Sequence, residues 1–336
     1  MSAKRWAALG IAGVVFIFSA LFNLLSVALS TDAENLWSQF LETSDQMFLE
    51  EVIADGDENY RIAVLDVNGV IQDTGESTDI FGSTGYNHQL FLSELEQAKN
   101  DETVQGIIIR VNSPGGGVVE SAQIHDKIVE IQEETEIPVY ISMGEMAASG
   151  GYYISAPADK IFASPETLTG SLGVIMQGIN YAGLAEKYGV KMTTIKSGPY
   201  KDIMSPSREM TEEERNILQE MIDSSYEGFV KVIADGRNMP EEEVRNIADG
   251  RIYDGRQAKE LNLIDDFGYF ETALEQMQSD YGLEGAQVIQ YNENLGFGSL
   301  VTLSAQKVFG KDIEMAGLMK MLSSPNSPRM MYLYAE

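Results

Sequence analysis

Along this chain, segments of unbroken apolar character alternate with segments whose apolar residues recur at helical spacing. VQGIIIRVNSP (104–114) is mostly apolar around GIII until Asn, Ser and Pro end it, which predicts a strand buried on both faces. RIAVLDVNGVIQD (61–73) alternates and is rich in β-branched residues, and IPVYISMG (137–144), KIFASP (160–165) and KMTTIKSG (191–198) read as further strands. Residues 87–100, 118–135 and 148–155 carry the helical period between them, and the glycines of IFGSTGYN (80–87) mark a loop. Such alternation predicts an α/β fold with a mainly parallel sheet, helices on its faces and right-handed crossovers. A long helix is expected over 211–234, opened by Thr211 with Glu214 three residues on, the pattern of a capping box. MPEEEVRNIADG (239–250) and DGRQAKELNLID (254–265) read as shorter helices.

The two ends differ from this middle. Residues 6–30 contain no charged side chain and follow Lys4 and Arg5. A helix rising ~1.5 Å per residue over that length crosses a hydrocarbon core of ~30 Å, longer than the ~7–15 apolar residues of a cleavable signal peptide. The expectation is a retained N-terminal transmembrane anchor (1–30), with cleavage after Ala28-Leu29-Ser30 as the alternative. The flanking lysine and arginine place the N-terminus in the cytoplasm and the rest of the chain outside the cell membrane. Residues 31–60 are acidic, with Phe40, Leu41, Met47, Phe48, Leu49, Val52 and Ile53 at roughly helical spacing, and read as a helical stalk. The main domain is expected over 61–291, followed by an extension (292–336) that ends in the apolar RMMYLYAE. That tail is too short to fold alone, so it either packs on the surface or docks in a groove.

Composition narrows the functional classes. Across 336 residues, 52 acidic side chains outnumber 23 basic ones and give a net charge of −29, which repels phosphate backbones and argues against nucleic acid as a partner. With no cysteine there are no disulfides, thiolate nucleophiles, cysteine zinc sites or lipoprotein modification. The glycines match neither dinucleotide nor P-loop spacing, so nucleotide binding has no motif.

The candidate chemistry lies in MAASGGYYIS (146–155) and NSPGGG (112–117), each directly after a buried strand, where α/β sheets place ligands. Ser149, between small residues, is the candidate nucleophile and needs a base. The two histidines, His88 and His125, fall in other elements with no evident reason to reach it, although His125 stays a candidate. A lysine serves if desolvation favours its neutral form, and KSGPYKDIMSPSREM (196–210) offers Lys196 or Lys201. Gly150, immediately after Ser149 at a helix start, is placed to donate its N–H to an oxyanion.

Taken together, VNSPGGGVVESAQIHDKI, SMGEMAASGGYYISAPADKIFASPETLTGSLGVI and KSGPYKDIMSPSREMT resemble the SppA-type signal peptide peptidases, serine peptidases of the Clp protease/crotonase-like superfamily, over most of residues 60–291. The resemblance implies repeated β-β-α units, Ser149 as nucleophile, Lys201 as base, and the N–H groups of Gly116 and Gly150 as the oxyanion hole. It makes Ser171 the candidate for orienting Lys201. It also implies peptide substrates, chiefly remnant signal peptides at the membrane, no metal or organic cofactor, and ring-shaped homo-oligomers whose neighbouring subunits complete the groove. Two other classes stay open: a non-catalytic membrane-anchored scaffold, which the composition permits, and acyl-thioester chemistry, which the resemblance to this superfamily also implies but which suits an extracellular domain poorly.

Overall fold

The structure, a computed structural model, describes residues 48–73, 86–293 and 330–334, with residues 15, 16 and 19 as isolated helical positions. The expected transmembrane segment, most of the stalk and residues 294–329 lie outside the described residues. No helix among the described residues is long and apolar enough to cross a membrane. By its contacts the chain divides into two units, residues 1–49 with 292–301 and residues 50–291 with 302–336, and the second carries the fold.

Its first half runs β1 (Phe48–Ala54), β2 (Asp57–Asn68), α1 (His88–Asn100), β3 (Val104–Ser113), β4 (Gly115–Gly117), α2 (Val118–Thr135), β5 (Val139–Ala148), α3 (Gly150–Ser155) and β6 (Lys160–Ala163). The second half runs β7 (Leu168–Gly170), β8 (Ile175–Met176), α4 (Ala182–Lys187), α5 (Glu212–Arg237), α6 (Glu241–Ile247), β9 (Ile252–Asp254), α7 (Gly255–Glu260), β10 (Asp266–Phe267), α8 (Phe270–Tyr281), β11 (Ala286–Glu293) and β12 (Met330–Leu333).

The main sheet has the order β1-β11-β2-β3-β5-β6-β10, and the pairs from β11 through β10 are parallel. The apolar centre of β3, Gly106–Ile109, is what such a sheet needs, since crossover helices cover both faces. Ile107, Ile108, Ile109 and Val111 have no exposed surface. Ile62, Ile108, Tyr140 and Phe162 meet Ala273 and Met277 of α8 in one cluster, while α1 packs on β2 and β3 and α3 packs on β3 and β5.

Strand β5 changes neighbours along its length. Tyr140–Ser142 pair with β6, whereas Met146–Ala148 pair with β7, which turns antiparallel onto β9. The C-terminal end of β5 is thus held between β3 and β7, and Ser149 follows it directly.

Local signals hold where they are strongest. Asn87 caps α1 by accepting the Leu90 N–H, and Thr211 and Glu214 form the reciprocal capping box that opens α5. Two expectations are corrected. Residues 48–54 form a strand rather than part of a helical stalk, because they add to the sheet edge beside β11, a partner distant in sequence. Residues 191–198 form no strand: they have no ladder partner among the described residues, and Ile195 stands 97% exposed.

Candidate active site

Ser149 sits at the junction of β5 and α3, with its N–H donating to Gly170 O at 2.8 Å and its carbonyl accepting from Tyr153 N at 2.8 Å. Its φ of 54° and ψ of −115° are sparsely populated for a residue with a side chain and cost ~1–3 kcal/mol, stored where the surrounding strands over-determine it. Ser149 is 1% exposed, and its Oγ has no hydrogen-bond partner among the described residues. Ser171, also at positive φ (51°), lies alongside because β5 and β7 pair Ala148 with Gly170.

Facing Ser149 is β4, the triple glycine. Strand β12, from the far end of the chain, lies antiparallel between β4 and β8 and pairs Tyr332 with Gly116 and Met331 with Ile175. The Tyr334 N–H donates to Pro114 O at 2.9 Å, so the antiparallel alternation makes Tyr332–Gly116 a hydrogen-bonded pair and aims the Gly116 N–H at the Tyr332 carbonyl. A Cβ placed on Gly115 would stand 2.0 Å from Tyr332 O and 2.5 Å from Gly150 N, and its φ of +98° excludes a side chain independently. The first N–H of a helix has no acceptor inside the helix, so Gly150 N–H is available to this oxygen. A peptide carbonyl therefore faces the Gly116 N–H and lies close to Gly115 and Gly150, the latter following Ser149 directly. The tail does dock in a groove, the second of the two expectations for it.

The Tyr332 side chain fills an aromatic recess. Its ring stacks on Tyr153 at 4.8 Å between centroids and tilts against Phe229 at 4.7 Å, and its hydroxyl donates to Ser225 O at 3.1 Å. Burial pushes Tyr153 up to about 12, with Asp126 adding to the shift, so the recess stays uncharged.

The candidate bases separate. His88 bonds through Nδ1 to the Tyr86 hydroxyl at 2.7 Å and through Nε2 to Gln123 Oε1 at 2.8 Å, while His125 bonds to Asp126 Oδ1 at 2.9 Å and packs edge-on to Tyr153. Neither bonds to Ser149. Lys196 is committed to the Asp202 carboxylate and donates to Pro199 O at 2.7 Å. Lys201 is exposed on the turn that follows Gly198, has no ion-pair partner among the described residues, and makes no hydrogen bond to Ser149 within the chain. Its neighbour Asp202 anchors that turn through Arg208, which also donates to Glu214 at the start of α5. The Arg208 guanidinium holds Asp202 well below the usual carboxylate range, with Lys196 contributing.

So the structure brings Ser149, Gly116, Gly150 and Ser171 together and leaves Lys201 apart on a surface turn. Sequence reading missed Gly115, signalled only by the length of the glycine run, and the recess of Tyr153 and Phe229, for which no local pattern exists.

Residues 131–284 match the family model Peptidase family S49. The chain is 45% identical over 306 residues to an Enterococcus faecium protein described as "Putative signal peptide peptidase SppA", covering 89% of this chain and 88% of that one. The chain belongs to the SppA family of serine peptidases. It is also 37% identical to Protease 4 of Salmonella typhi over 213 residues, 63% of this chain and 33% of that protein, and 32% identical to the chloroplastic serine protease SPPA of Arabidopsis thaliana over 215 residues, 64% and 31% of the two chains. As an SppA-type member it is a serine endopeptidase of the Clp protease/crotonase-like class. The parallel sheet and the serine at a strand-to-helix junction accord with that class.

Proposed function

We propose that this peptidase works through a Ser149–Lys201 dyad and cleaves apolar peptides, chiefly remnant signal peptides, at the outer face of the cell membrane, to which residues 6–30 anchor it. The observation that carries the reading is the seating of a peptide segment, Met330–Leu333, as an antiparallel strand on the glycine run, with its Tyr332 carbonyl paired to Gly116 and close to Gly150, the residue after Ser149. Substrate binds in the same extended way, with main-chain hydrogen bonds for affinity and pockets for alternate side chains.

In the reaction the neutral Lys201 amine takes the Ser149 proton while Oγ attacks the carbonyl carbon. The carbonyl π electrons move to oxygen, and the oxyanion is held by the Gly116 and Gly150 N–H groups. Collapse breaks the C–N bond, with the lysine proton delivered to the leaving amine, and water then releases the acyl group by the reverse sequence. Ser171, placed beside Ser149, orients the lysine.

A homo-oligomer supplies Lys201 to its neighbour. What supports this is the exposed apolar character of the segment that carries it: Ile179, Leu184, Tyr188, Val190, Met192 and Ile195 are 54–97% exposed. That is a surface of the kind that marks a protein interface.

The test is complementation. Ser149→Ala and Lys201→Ala assemblies each lose peptide hydrolysis while keeping their size, and a co-assembled mixture regains part of it. Activity in either pure variant defeats the dyad, and an inactive mixture defeats sharing between neighbours. Labelling by a fluorophosphonate probe at Ser149 separates the peptidase from a non-catalytic scaffold.

A further inference from the structure

Ser121, in the first turn of α2, is wholly buried, and its Oγ has no hydrogen-bond partner among the described residues. Helical hydroxyls can return to the carbonyl four residues back, and others here do so: buried Ser155 donates to Gly151 O at 2.7 Å and half-buried Thr135 to Ile131 O at 2.6 Å. Ser121 does not, and a desolvated hydroxyl left unpaired is a cost that calls for a use.

Its surroundings indicate the use. A Cβ placed on Gly150 would lie 2.7 Å from Ser121 Oγ, 3.0 Å from Gly116 N and 3.0 Å from Tyr332 O. The hydroxyl, one oxyanion donor and the seated carbonyl thus surround a single point against Gly150. The N-terminus of α2, which follows β4 without a break, adds its partial positive charge on the same side.

We propose that the Ser121 hydroxyl is a third oxyanion donor, idle in the ground state and engaged in the tetrahedral intermediate. A neutral carbonyl oxygen has two lone pairs, and the N–H groups of Gly116 and Gly150 suffice for it. When Ser149 Oγ bonds to the carbon, the π electrons become a third lone pair on oxygen, and the charged atom takes a further donor. Ser121 transfers no proton; it turns its O–H toward the new charge. A donor satisfied only in the transition state accelerates the reaction without tightening substrate binding, which is the requirement for raising kcat.

The inference rests on the proposed role of Ser149, and its test separates the two. In the full-length assembly, Ser121→Ala should lower kcat for a cleavable peptide by about tenfold or more with KM unchanged. A peptide aldehyde, which forms a tetrahedral adduct on Ser149, should bind more weakly by a similar factor. In a Ser149→Ala background, the affinity for an uncleaved peptide should not respond to Ser121→Ala. Unchanged kcat overturns the proposal. An equal loss of affinity for the uncleaved peptide also overturns it, since that is what a packing role produces. If fluorophosphonate fails to label the wild-type enzyme at Ser149, the dyad reading falls first.

Discussion

Replacing Tyr332 by alanine tests whether the terminal strand competes with substrate. The side chain, 2% exposed, makes ring contacts with Tyr153 and Phe229 and one hydrogen bond to Ser225 O. Aromatic pairs contribute ~0.5–1.5 kcal/mol each and a neutral hydrogen bond a similar net amount, so the substitution weakens docking of the strand by ~1.5–4.5 kcal/mol. At ~1.4 kcal/mol per decade this lowers the docking constant by about tenfold to about a thousandfold. The backbone ladder to β4 and β8 remains, so the tail still visits the groove but yields to peptide sooner. A substrate that must displace the tail is penalised by the undocked fraction, so kcat/KM rises by up to the same factor. Hydrolysis of a fluorogenic apolar peptide by wild type, by Tyr332→Ala and by a chain lacking residues 330–336 measures it, with the rate of Ser149 labelling as a second readout. Equal kcat/KM in all three would refute competition and leave the strand as surface packing.

Three further outcomes follow from the geometry. Gly115→Ala puts a methyl 2.0 Å from the seated carbonyl oxygen at a φ of +98°, so hydrolysis should fall by about a hundredfold or more while the circular dichroism of the fold is kept. Glu214 is lowered to about 2, first by Arg208 and then by the Thr211 N–H. Because its folded value is depressed, its contribution is full above ~4.3 and is lost as pH falls toward about 2. Arg208→Ala should therefore move acid-induced unfolding, followed by circular dichroism, to higher pH, and an unmoved midpoint would exclude this network. His125→Ala removes one ring contact worth ~0.5–1.5 kcal/mol, so kcat/KM should change by less than about tenfold; complete loss would return histidine to the list of bases.

What the sequence made legible was local or periodic. The apolar core of β3, the capping box at Thr211 and the small residues around Ser149 each announce their structure within a few positions. What escaped depends on partners far along the chain. Residues 48–54 become a strand only beside β11, and 191–198 fail to become one for want of a neighbour. The recess for Tyr332 joins α3, α5 and β12, whose residues share no pattern. Ser121 looked like an ordinary helix residue, since an absent bond leaves no mark on composition.

The change of neighbours along β5 has a consequence for how this catalyst can vary. Residues 146–149 are gripped by strands on both sides, so losing one residue there would invert which side chains point inward and would remove the attacking hydroxyl from its place. The segment 177–210, which carries the proposed base, enters no strand ladder among the described residues, so a change in its length leaves the sheet beneath undisturbed. Nucleophile and base are thus inherited under different rules, one fixed by architecture and the other open to revision, and a library of variants should tolerate insertions in the second segment that it rejects in the first.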